Sequence, residues 1–130
     1  MLAQNPERAE RAAMANVYFK WGKELEAKQK WADAAAAYSK AQGLDPKGTN
    51  ANEALAGHHF TLGKALETQG KDGGPDFRRA VALRPDYAPA KAAAAHADSG
   101  NRPTWILYCA GVALAAALGL FAAAMVRRRA

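Results

Sequence analysis

The chain of 130 residues has a single cysteine, Cys109, so it cannot close an internal disulfide or form a Cys-x-x-Cys metal or redox motif. It has only three histidines, His58, His59 and His96. His58 and His59 are neighbours, and on a helix they point about 100° apart, too far to share a metal. No nucleophile motif occurs, and the glycine-rich stretch 70–75 lacks the Lys-Ser/Thr pair that a phosphate loop requires. These absences predict a protein that is not an enzyme, with no cofactor and no metal site. Alternating β-branched runs are also missing, which excludes a sheet and sets the expected fold class as all-α.

Charge of one sign is scarce as well. The formal net charge is +6, from 18 basic and 12 acidic residues, but Arg127, Arg128 and Arg129 supply three of the cations at the C-terminus. The 15 basic and 12 acidic residues upstream are mixed along the chain. A nucleic-acid footprint needs clustered Lys and Arg on one face, so no nucleic-acid partner is expected.

One segment lacks charge altogether. Residues 105–126 are 22 residues without Asp, Glu, Lys, Arg or His. At about 1.5 Å per residue a helix of that length reaches roughly 33 Å, enough for a bilayer core. Trp105 and Tyr108 stand where an interfacial aromatic belt would lie, and the three arginines close the other end. Gly111, Ala115 and Gly119 recur at four-residue steps, a small-residue face on which transmembrane helices can pack. Cys109 lies inside this span and reads as a small apolar side chain.

Helix signals punctuate the rest. Asn5-Pro6-Glu7 combines an N-cap, a proline at the first helical position and an acid in the first turn. The spacing of breakers predicts helices over residues 6–28, 31–42, 52–69, 76–83 and 88–98. A repeat underlies this order. Phe19, Gly22, Lys23, Leu25 and Glu26 return 41 residues later as Phe60, Gly63, Lys64, Leu66 and Glu67, and each copy is followed by a turn, a second helix and a proline.

This pattern resembles the tetratricopeptide repeat (TPR) family. The first copy has Tyr18, Trp21-Gly22, Leu25, Ala34, Tyr38, Ala41 and Pro46 at the family's spacing. The second has His59, Leu62-Gly63, Leu66, Phe77, Ala80 and Pro85, is two residues shorter, and carries Gly73 where the first has Ala34. Small residues at 22, 34 and 41 suit a close helix approach, with Trp21, Leu25, Trp31 and Tyr38 expected to fill the gap and His59 to occupy an aromatic slot. The resemblance implies a short helical-hairpin solenoid: an N-terminal helical extension over 1–14, about two repeats plus a capping helix over 15–98, a linker over 99–104, a transmembrane helix over 105–126 and a basic tail over 127–130. Fewer than three repeats leave a core that a partner, or a homo- or hetero-oligomer, would complete.

Family members bind a peptide or helix in the groove lined by the first helix of each repeat. Carried over, that groove would include Asn16, Phe19, Lys23, Glu26, Phe60, Lys64 and Glu67, and the repeated Phe and Lys would suit a ligand with an apolar anchor and a carboxylate. The expected function is thus a membrane-anchored adaptor or assembly scaffold with a protein partner. The alternative is an accessory subunit of a membrane complex, held mainly by its transmembrane helix. The alanine-rich, arginine-closed composition points to a bacterial inner membrane. The N-terminus has no apolar leader, which places the repeats in the cytosol, whereas the terminal arginines favour the opposite topology.

Overall fold

In the computed structural model residues 5–100 are described, and among them all regular structure is helical. The helices are α1 (Pro6–Ala27), α2 (Trp31–Leu44), α3 (Ala51–Thr68), α4 (Gly74–Leu83) and α5 (Ala88–Gly100). The expected all-α class therefore holds for these residues, with boundaries within about two residues of the sequence reading. None of these helices is long and apolar enough to cross a membrane. The expected span 105–126, including Gly111, Ala115 and Gly119, lies outside the described residues.

The caps follow from the sequence. The Asn5 side chain accepts from the Glu7 amide at 3.1 Å, and Pro6 occupies the first turn of α1. At the other end of α1 the amide of Lys30 donates to the Leu25 carbonyl at 2.9 Å, and at the end of α3 the amide of Lys71 does the same to Leu66 at 2.9 Å. Each bond closes a Schellman-type turn, which needs one residue in the left-handed region. That residue is Gln29 (φ 58°) in the first case and Gly70 (φ 71°) in the second, 41 positions apart. Glycine takes this conformation freely, whereas glutamine pays for its Cβ. Gln29→Gly should accordingly stabilise the fold by roughly 0.5–1 kcal/mol, read as a rise in the urea midpoint.

α1 packs on α2, α2 on α3 and α3 on α4, with a smaller contact between α1 and α3. The core is built largely of alanine, which lets the helices lie close together. One cluster holds Phe19, Leu25, Ala34, Ala37, Tyr38, Ala41 and Ala54; the other holds Phe60, Phe77, Ala80, Ala90, Ala93 and Ala94. The alanines of α5 are thus the third wall of the second cluster.

Tyr38 is the wedge of the first cluster, 2 % exposed. A Cβ on Gly22 of α1 would come 2.8 Å from its Cδ1, and one on Gly57 of α3 would come 2.8 Å from its Cε2. One ring is therefore held edge to edge between two glycines on two helices. In the second hairpin Phe77 plays the same part against Gly63, where a Cβ would come 2.6 Å from Cε1. Gly73 accounts for the shorter second copy: a Cβ there would meet the Gly63 carbonyl backbone oxygen at 2.4 Å, so α4 starts closer to α3 than an alanine would permit.

One expectation is corrected. Trp21 does not fill the gap between helices; it is 49 % exposed, because its side of α1 faces away from α2 and α3. His59 also makes a polar contact: its Nδ1 lies 2.9 Å from Asp76 Oδ1, which ties α3 to the first turn of α4.

Candidate partner-binding cleft

Tyr38 also lines a cleft of ≈ 440 Å³ between α1, α3 and the turn joining α4 to α5. Trp31, Phe60 and Tyr87 form its apolar wall. Trp31 meets Phe60 edge-on with centroids 6.1 Å apart, and Phe60 meets Tyr87 at 5.3 Å, the offset geometry that aromatic quadrupoles favour.

Its polar side is organised around two carboxylates. Glu26 accepts the hydroxyl of Tyr38 at 2.6 Å on one oxygen and that of Tyr87 at 2.5 Å on the other. Residues 12 and 61 positions away thus converge on one acid. Burial first, and the bond to the Glu26 carboxylate second, push both phenols well above the ordinary tyrosine range. The sign of the linkage follows: a folded-state value raised above ~10 stabilises fully below that pH and is lost as pH climbs beyond it. Stability should therefore fall above about pH 10, and Tyr87→Phe should blunt the fall, as urea titrations at successive pH values would read.

Glu53 organises the rim. Its Oε1 receives Lys23 Nζ at 3.1 Å from α1 and an Arg84 guanidinium nitrogen at 3.1 Å from the end of α4. The other arm of Arg84 bonds Asp86 at 3.0 Å and holds that carboxyl below the usual carboxylate range. The guanidinium also sits 5.6 Å over the Tyr87 ring. These rim pairs are partly open to water, so each contributes little to stability. Their consequence is positional: two cations are fixed at the mouth of an aromatic cleft and share one anionic oxygen.

The seven residues expected to line one groove divide among three places. Lys23, Glu26 and Phe60 line the cleft just described. Asn16 and Phe19 line a second, smaller one of ≈ 220 Å³ beside the α2–α3 loop, where Asn50 donates to Asn16 at 3.4 Å. Lys64 and Glu67 belong to neither; they bond one another at 3.0 Å, and Lys64 lies 5.4 Å over the Phe77 ring. Lys23 and Lys64 are equivalent in the repeat but do not share a surface. Glu53, Arg84 and Tyr87 were missed. Arg84 and Tyr87 sit in a turn read only as a helix stop, and Glu53 pairs across elements in a way no sequence period reveals. The Tyr38 hydroxyl had a readable signal, since a buried phenol needs an acceptor.

Among the described residues no cluster of three or more metal-ligating side chains occurs. Comparison with known proteins gives no match to a family model, a curated protein or a solved structure.

Proposed function

We propose that the chain is a membrane-anchored protein–protein interaction module: about two TPR-like repeats with a capping helix, joined by a short linker to one transmembrane helix. The partner segment, a peptide or helix with an apolar side chain and a carboxylate, enters the cleft between α1, α3 and the α4–α5 turn. The observation that carries this reading is the pairing of an aromatic wall, Trp31, Phe60 and Tyr87, with two fixed cations at its mouth, Lys23 and Arg84. The wall would take the apolar anchor. The cations, which share a single Glu53 oxygen, would take the carboxylate. The five positions repeated after 41 residues support the repeat reading, and the 22 uncharged residues at 105–126 support the anchor.

A photo-crosslinking residue at Ala27, which is exposed on the cleft lining, tests this reading. It should yield an adduct with a discrete partner in membranes, while the same probe at Glu67 should not. Removing residues 105–130 should release the chain from the alkaline-washed membrane pellet and leave the Ala27 adduct obtainable. An adduct that disappears with the span would favour the accessory-subunit reading, in which the transmembrane helix makes the contact.

A further inference from the structure

Gln29 and Gly70 hold the same turn in the two hairpins, and both lie in the left-handed region. Gly70 does so without a Cβ, and it lines neither the cleft described above nor the one beside it. Gln29 lines both: the cleft of ≈ 440 Å³, and a neighbour of ≈ 370 Å³ that shares Trp31 with it and reaches Ala32 and Thr68. The turn makes no use of the glutamine side chain. Its bonds are main-chain ones, from the Lys30 amide to the Leu25 carbonyl and from the Gln29 amide to the Glu26 carbonyl, each at 2.9 Å. The acids, cations and tyrosines of the larger cleft are engaged with one another, Lys23 and Arg84 with Glu53, Tyr38 and Tyr87 with Glu26. Gln29 is the one side-chain amide there; it is exposed and bonds to nothing in the chain. A left-handed backbone kept by a residue with a Cβ, at a cleft, where glycine serves the equivalent turn away from it, points to the side chain as the reason.

We propose that Gln29 binds the main chain of the partner segment, its Oε1 accepting an N–H and its Nε2 donating to a C=O. The proposal rests on the cleft reading given above and narrows it: the partner is extended, not helical, where it passes Gln29. Inside a helix the N–H and C=O groups already bond one another four residues apart, whereas an extended chain presents them unpaired. A glutamine amide carries donor and acceptor on one group and matches that pair. Contact with the main chain adds affinity without selecting side chains, so selection stays with the aromatic wall and the two cations. The side chain that strains the turn is thus the one that holds the partner, and its removal should move stability and binding in opposite directions.

The test presents the full-length chain in detergent with a random library of acetylated, amidated nonapeptides. Peptides are kept that the wild type retains and the Lys23→Glu, Arg84→Glu variant does not, and their affinities are read by fluorescence anisotropy. Gln29→Ala should weaken binding about fivefold, the effect of one hydrogen bond, with the urea midpoint little changed because the Cβ remains. Gln29→Gly should weaken it as much while the midpoint rises. Methylating the peptide's backbone nitrogens one at a time should expose a position that weakens binding to the wild type about fivefold and to Gln29→Ala no further. Undiminished affinity in Gln29→Ala, or the same methylation profile for both chains, would overturn the main-chain contact and leave the cleft in place. A library that yields no peptide dependent on the two cations would overturn the cleft reading, and this inference with it.

Discussion

Replacing Tyr38 with alanine should cost about 4 kcal/mol, a large part of what a domain of this size possesses. The ring fills the space between Gly22 and Gly57, so its removal opens a cavity at the point where α1, α2 and α3 meet. The surrounding core is mainly alanine, which cannot extend to refill it. The substitution also leaves Glu26 with only the Tyr87 hydroxyl. Tyr38→Phe separates the two effects: it keeps the ring and should cost only about 1–2 kcal/mol, the scale of a hydrogen bond to a charged group. Gly22→Ala and Gly57→Ala approach the same point from outside, each forcing a Cβ to 2.8 Å from the ring, and should cost about 1–3 kcal/mol by overpacking. Urea unfolding of the four variants, followed by circular dichroism, measures the series. A loss below about 1 kcal/mol for Tyr38→Ala would mean that the ring does not clamp the hairpins.

The helices were legible in the sequence because their punctuation is local. Asn5-Pro6, Asp45-Pro46 and Arg84-Pro85 mark ends by backbone chemistry that needs no tertiary context. The 41-residue period exposed Gly22 and Gly63 together, and both abut an aromatic ring of the following helix. Gly57 escaped notice because it has no counterpart in the first copy: it is needed where Tyr38 reaches the next hairpin, a contact that exists only once. The cleft was half legible for a related reason. Lys23, Glu26 and Phe60 recur in the repeat, but periodicity also promoted Lys64 and Glu67, which pair with each other away from it. Repeat symmetry predicts equivalent positions within each hairpin, whereas a site between hairpins draws on unequal ones. Glu26 is bonded to two phenols; its equivalent Glu67 lies in the last turn of α3, whose partner ring, Phe77, has no hydroxyl.

Reversing both rim cations should abolish most partner binding. Lys23→Glu with Arg84→Glu replaces two positive groups beside Glu53 with negative ones, so the mouth of the cleft would repel a carboxylate. A fall of at least tenfold, about 1.4 kcal/mol, is expected from the loss of charge-assisted contacts alone. The fold should persist, because the pairs removed are partly solvated and contribute little stability. Lys64→Glu is the matched control, equivalent in the repeat and outside the cleft. The decisive measurement is quantitative mass spectrometry of proteins retained by the full-length chain from detergent-solubilised membranes, compared across wild type, the double reversal and Lys64→Glu. A partner enriched by the wild type and by Lys64→Glu but lost with the double reversal is the predicted result; equal retention by all three, or equal loss in both variants, would contradict binding through the cleft.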